Sequence, residues 1–219
     1  MQGMGGGRLR AGTGRPWLSG LPRRTAWGII ARMEWPLDTI RAAQAAAVLL
    51  RDRPGRRDNF MRVLKLLYLA NRAALQEAGR PIFSDRFVAM RRGPLPGGVY
   101  DLIKGVHRDV GEWARYFRTD RYDLVLVDDA DPGVGALTRF DVETLRRVAE
   151  EHADRDEWAL VDETHRLPEW IRNDPGDSSR TIPLADLLDA LGMRGREQAI
   201  RDEMARRGRV RAALLGRTA

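Results

Sequence analysis

Between Phe60 and Ala78 the apolar residues Phe60, Val63, Leu64, Leu67, Ala74 and Leu75 recur three and four positions apart, the spacing that gathers side chains on one face of an α-helix. Leu66, Tyr68 and Leu69 widen the stripe around most of the circumference, which predicts a central helix. Arg62, Lys65, Arg72 and Gln76 are left as its polar strip. Asn59 is placed to cap the start, and Gly79 to end the helix as a C′ residue.

The flanking patterns are shorter. Asp38 is placed to cap a helix running to about Arg51, with Ile40, Ala43, Ala47 and Leu50 on one face, and "RDRPGRRDN" then reads as a loop. Phe87 to Met90 reads as a strand that runs into Arg91 and Arg92. A turn of three glycines and two prolines, Gly93 to Gly98, follows, then a short helix from Val99 to about Val106. Tyr122 to Val127 reads as a strand and "DDADPGVG" as a turn. Asp141 is expected to cap a helix through Ala153, with Phe140 and Leu145 as its hydrophobic staple. A further helix runs from about Glu157 to Leu167 and stops at Pro168. Pro183 opens the next, where Leu184, Leu187, Leu188 and Leu191 share a face before Gly192 closes it. The pattern predicts a mostly α (α+β) fold: a single compact helical domain with a few short β-strands, over about residues 34–193.

Charge changes the picture at the two ends. The net charge is +7, but residues 1–32 hold six arginines and no acid, and residues 194–219 hold eight arginines against three acids. The centre has 24 basic and 28 acidic residues and is mildly acidic. Residues 1–32, glycine-rich and without a sustained period, are expected to be a disordered basic extension. Met33 is an alternative start. Arg23-Arg24 before Trp27 to Ala31 faintly suggests an export signal, but Arg32 and Glu34 cut the apolar stretch short. Residues 194–219 form a basic tail compatible with a helix, although its stripe of Ile200, Met204 and Leu214 is thin. Such ends suit weak contact with nucleic acid, because phosphate attraction needs no shaped site. The chain has no cysteine, which excludes disulfides and thiolate chemistry. Its longest apolar runs, Ala45 to Leu50 and Leu66 to Ala70, are too short to span a bilayer, so a cytoplasmic protein without membrane contact is expected.

Candidate chemistry is sparse. The glycine turn could cradle a phosphate, but Pro94 and Pro96 delete two donors and no Gly-Lys-Ser/Thr follows. His107, His152 and His165 lie in no metal-binding spacing. His152 reads as a packing histidine. His165 reads as a general base beside Asp162 or Glu163, or more plainly as a hydrogen bond closing a helix end, and no nucleophile motif accompanies it. No catalytic, metal or cofactor residues are assigned, and no cofactor is expected. The residues that suit a protein interface are Tyr68, with its hydroxyl at a surface, and Arg91, Arg92, Gly93 and Pro94 as a stiff exposed turn. Tyr100, His165 and Trp170, the last in a Pro-Glu-Trp loop, join them.

"KLLYLANRAALQEAGRPIFSDRFVAMRRGPLPGGVYDLIKG" resembles the Panacea domain of the SocA-like antitoxin family. The resemblance rests on Lys65, Leu66, Leu67, Tyr68 and Ala70, on Gly79, Arg80, Pro81 and Ile82, and on Asp85, Phe87, Ala89, Gly93, Pro94, Val99, Tyr100 and Lys104. A second block follows as Leu160, Thr164, His165, Pro168 and Trp170. The resemblance covers about residues 36–192. Asn71 stands where the family pattern has an acid, and Pro96-Gly97 makes the turn richer than usual.

The resemblance implies an antitoxin that binds and neutralises a co-encoded protein toxin, in some systems by delivering it to a Clp-type protease. The mildly acidic centre would suit a basic toxin. The competing class is a nucleic-acid-binding regulator that uses the arginine-rich ends as clamps and the Phe60 helix as reader. A small hydrolase built on His165 is a third class. A phage-borne accessory protein that binds another host factor is the nearest alternative within the binding class.

Overall fold

The computed structural model describes residues 36–215. Helix α1 (Thr39–Leu50) starts where the Asp38 carboxylate accepts the Arg41 amide at 3.1 Å. It is buried on nearly every side, because its run of alanines lets neighbours approach from all directions. The expected single apolar face is therefore too narrow, and Ile40 is only half-buried. A short 3-10 turn (Pro54–Arg56) leads to β1 (Arg57–Asn59), so the segment expected as loop contributes a strand.

Helix α2 (Phe60–Ala78) has the anticipated boundaries: the Asn59 side chain accepts the Met61 amide, and Gly79 closes the helix at φ 65°. Its expected polar strip is corrected. Arg62 and Lys65 are buried, so α2 is enclosed on that side as well. Arg62 survives burial by pairing with Asp58 and donating to the carbonyls of His152 (2.9 Å) and Arg155 (2.8 Å).

Strands β2 (Phe87–Met90) and β3 (Gly93–Pro96) form an antiparallel hairpin turning at Arg91-Arg92. The expected exposed turn from Gly93 is corrected, since all four residues of β3 are buried. Two prolines fit this strand because of register. The Gly97 amide donates to the Arg86 carbonyl at 2.8 Å, which makes Val88–Leu95 and Met90–Gly93 the bonded pairs. Pro94 and Pro96 occupy the alternate positions, whose missing N–H would point away from β2.

Helix α3 (Gly97–Ile103) and α4 (Val110–Trp113) follow, then the hairpin β4 (Phe117–Asp120) and β5 (Asp123–Leu126). Strand β4 has no sequence signal beyond Phe117, its one buried residue. Helix α5 (Arg139–Glu151) has its cap three residues before the expected one. Thr138 caps it, and Asp141 is the N3 partner of a capping box, so Phe140 and Leu145 are not in staple positions. Helix α6 (Glu157–Thr164) ends before the expected Leu167, and Pro168 opens α7 (Pro168–Arg172) instead of terminating α6. Strand β6 (Ser179–Thr181), α8 (Leu184–Ala190) and α9 (Glu197–Leu215) complete the chain.

The sheets have orders β1-β5-β4 and β3-β2-β6, all antiparallel. One apolar cluster unites α1, α2, α3, α5 and the first sheet. A second packs Tyr68, Leu75, Phe87 and Ala89 against Ile182, Leu187, Leu188 and Ile200, which brings Ile182 (just after β6), α8 and the start of α9 onto α2 and β2. The fold is mostly helical α+β.

Candidate functional site

The tip of the β2–β3 hairpin is held from one side by the corner between α6 and α7. The Trp170 indole N–H donates to the Met90 carbonyl at 3.1 Å. His165 stacks on Trp170 with ring centroids 4.2 Å apart. Arg92 lies over the Trp158 ring, its guanidinium carbon 4.9 Å from the centroid. Gly93 permits this close seating. A Cβ there would lie 2.6 Å from Thr164 Oγ1 and 2.8 Å from Lys65 Nζ, and its φ of 87° already disfavours a side chain. The Thr164 hydroxyl donates to the Leu160 carbonyl at 2.8 Å.

Beneath the hairpin, Lys65, Tyr68 and Arg72 project from one face of α2, three and four residues apart. Lys65, 1 % exposed, donates to the Pro94 carbonyl at 2.8 Å, an acceptor that the register of β3 turns away from β2. Burial without a countercharge pulls its amine down to about 7. The Tyr68 hydroxyl donates to Glu169 Oε1 at 3.0 Å, and Arg72 Nε donates to the same oxygen at 2.8 Å. Burial and the adjacent carboxylate push the Tyr68 phenol well up. Glu169 Oε2 and His165 Nε2 are buried without a hydrogen-bond partner. Burial, and then the Lys65 amine, lower the His165 pKa. This corner contains a lysine, a histidine and a carboxylate whose bonding capacity is incompletely used.

The far end of β3 meets a different arrangement. The Gly98 and Val99 amides at the start of α3 donate to the Asp85 carboxylate at 2.8 and 3.0 Å. A Cβ on Gly98 would lie 2.6 Å from Asp85 Oδ1. The donors of a phosphate cradle are thus occupied by the chain's own carboxylate, which burial pushes up to about 7 against those two hydrogen bonds. Asn71 is also internal: its Oδ1 accepts the Ile82 and Phe83 amides at 2.9 and 3.2 Å, and its Nδ2 has no partner. A carboxylate there would accept the same amides, so the departure at position 71 concerns the turn after α2 and not an exposed surface.

Of the residues expected at an interface, Arg91, Arg92, Gly93, Pro94, His165 and Trp170 converge on this corner. Their exposure separates them. Arg91 and Arg92 are exposed, Gly93 and Pro94 are buried, and His165 and Trp170 are half-buried with their rings on each other. Tyr68 is fully buried, which corrects its expected surface position. Trp170 lies in α7, not in a loop. Tyr100 lies on α3 and packs on the main core. Glu163, a suggested partner of His165, bonds His152 Nε2 at 3.1 Å and Arg155 at 2.5 Å. His152 is a packing histidine, buried with Nδ1 on the Val148 carbonyl. His107 Nδ1 accepts the Asp109 amide. Sequence reasoning missed Trp158, 51 % exposed, and buried Glu169. Trp158 precedes Arg166 and Trp170 in a region of mixed polarity, and only the fold aims it outward. Glu169 had a signal in its place between Pro168 and Trp170 in the second block.

Among the described residues no group of acids and histidines is placed to hold a metal, and no helix is long and apolar enough to cross a membrane. No curated protein and no solved structure matches the chain. Residues 63–171 match the family model described as antitoxin SocA-like, Panacea domain. That span runs from α2 to α7 and includes the hairpin, the buried polar face of α2 and the α6–α7 corner. The chain therefore carries a Panacea domain of the SocA-like antitoxin family.

Proposed function

We propose that this protein is a cytoplasmic antitoxin that neutralises a co-encoded protein toxin by stoichiometric binding, without turnover. The match of residues 63–171 to the antitoxin family carries the reading. The corner around the hairpin tip supports a binding role. Arg91 and Arg92 offer forked donors on a backbone fixed by Trp170 and His165, and Trp158 offers a large half-exposed ring. Arginine and tryptophan on a preorganised surface are the residue types that dominate interface energies. The inward part, Lys65, Tyr68 and Glu169, holds the presenting surface in place.

The test is genetic and then biochemical. The neighbouring reading frame, toxic when expressed alone, should be harmless when co-expressed with this protein, and the two products should co-purify. Rescue that persists in a host lacking Clp-type proteases supports inhibition by binding. Rescue that disappears there assigns neutralisation to proteolytic delivery. Protection far below one equivalent, with no such protease present, would contradict a stoichiometric mechanism.

A further inference from the structure

The β3-β2-β6 sheet has one closed edge and one open edge. Strand β3 is closed: it is buried, two of its positions are prolines, and the Pro94 carbonyl is taken by Lys65. Strand β6 differs in every respect. All three residues are exposed, and it contains no proline. The Ile182 amide donates to the Phe87 carbonyl at 2.9 Å, so the next bonded pair toward the hairpin tip is Arg180 with Ala89. Ser179 and Thr181 occupy the alternate positions, with their N–H and C=O groups directed away from β2. A strand edge of this kind is a template for another extended chain.

We propose that the free edge of β6 receives an extended, carboxylate-bearing segment of the toxin as a fourth strand. The inference rests on the antitoxin reading above and names the contact by which it would operate. Ser179 and Thr181 supply two donors and two acceptors for main-chain pairing. The charge around the edge selects an acidic occupant. Arg180, between those two positions, is exposed and forms no ion pair among the described residues. The register sets Ser179 opposite Met90, so that end of the edge lies beside the Arg91-Arg92 turn. Arg91 is 80 % exposed there, and its approach to Asp177 is a loose 3.8 Å between two solvated groups. Three residues are too few to pair indiscriminately, which keeps the edge from driving aggregation, yet enough to extend a surface that the hairpin tip begins. Strand β6 lies beyond the residues that match the family, so this contact would belong to the individual chain rather than to the domain.

The experiment uses the full chain and the purified product of the neighbouring reading frame. Amide exchange at Ser179 and Thr181 should slow at least tenfold in the complex, while the Arg180 amide, already within the sheet, changes little. Thr181→Pro deletes an outward donor without touching the β2–β6 ladder, and should weaken binding about tenfold, as expected for one or two main-chain bonds. Arg180→Glu should weaken it further at low salt. Three results would overturn the inference. A complex in which the Ser179 and Thr181 amides exchange at their free rate removes the edge and leaves the antitoxin reading intact. Protection that grows with protein concentration, without the partner, assigns the edge to a second copy of this chain. Failure of the unmodified protein to rescue or bind its neighbour's product overturns the antitoxin reading, and the edge contact with it.

Discussion

Two buried carboxylates anchor different parts of this protein, and they are satisfied to different degrees. Asp141 accepts Arg41 at 2.7 Å, Arg80 at 2.7 Å and the Thr138 amide at 2.8 Å. Burial works against its ionised form, but the Thr138 amide and the two arginines outweigh that cost and hold its pKa below the usual range. Glu169 accepts Tyr68 and Arg72 on one oxygen only. Nearby, Lys65 has a single carbonyl partner and His165 Nε2 has none. The first junction is closed and ties α1, the turn after α2 and α5 together. The second retains unused bonding capacity, as does the Asn71 amide in the turn after α2. The two clusters thus differ in how far their buried charge is compensated, fully at Asp141 and in part at Glu169.

The sharpest way to break this comparison is at the closed junction. Asp141→Ala would leave two largely buried arginines without a countercharge and remove the capping-box acceptor. A loss of about 3–5 kcal/mol is expected in denaturant unfolding. A loss below ~1 kcal/mol would mean that the arginines relax into solvent, and the junction would not be the structural anchor described.

A smaller effect is expected where the hairpin meets the corner. Gly93→Ala should cost about 1–3 kcal/mol, through its positive φ and the close approach of Thr164 and Lys65. Gly105→Ala is the control, since Gly105 has φ 74° with nothing within 4 Å of an added Cβ. Equal losses at the two sites would show that crowding contributes nothing and that the hairpin is seated more loosely than its geometry indicates.

These residues also show which features the sequence made legible. The bounds of α2 followed from periodicity and caps, because its apolar spacing is long and its ends carry Asn59 and Gly79. Strands β1, β4 and β6 escaped because three or four residues of mixed polarity have no usable period. The two family blocks meet at one corner of the fold, but Tyr68, Gly93 and Pro94, expected at its surface, are buried. Lys65 and Tyr68 read as polar or surface positions on α2, whereas Pro94 and Glu169, distant in sequence, supply the partners that permit their burial. Pro94 and Pro96 suggested a turn, because their tolerance in a strand depends on a register visible only once β2 is in place.

A pH titration of stability separates the two buried groups with pKa values near 7. Asp85 is shifted upward, so between about 4 and 7 the folded state holds a proton that the unfolded chain has released, and stability falls as pH rises through that window. Lys65 is shifted downward, so between about 7 and 10.5 the unfolded chain binds the extra proton, and stability rises. A shallow minimum near neutrality is expected from this pair, with arms no steeper than about 1.4 kcal/mol per pH unit. Asp85→Asn should flatten the acid arm and Lys65→Met the alkaline arm. An alkaline arm that survives in Lys65→Met would show that Lys65 remains charged when folded, with the hairpin opening to hydrate it.

The smallest effect on folding is expected at Arg92, and there the inner and outer halves of the corner part company. Its guanidinium lies over a half-exposed tryptophan and makes no ion pair among the described residues. An exposed cation–π contact of this kind is worth about 0.5–1 kcal/mol, so Arg92→Ala should leave the unfolding midpoint nearly unchanged. Toxin binding should respond differently. The stack already holds Arg92 in place, so little side-chain entropy remains to be lost when a carboxylate of the partner engages it. Titration against the neighbouring gene's product should then show affinity lower by roughly thirtyfold, or about 2 kcal/mol. Trp170→Ala is unsuitable for the same purpose, because its indole anchors Met90 and its loss would disturb the hairpin itself. Unchanged affinity in Arg92→Ala, with folding intact, would remove the hairpin tip from the interface and leave the buried polar cluster without a presenting role.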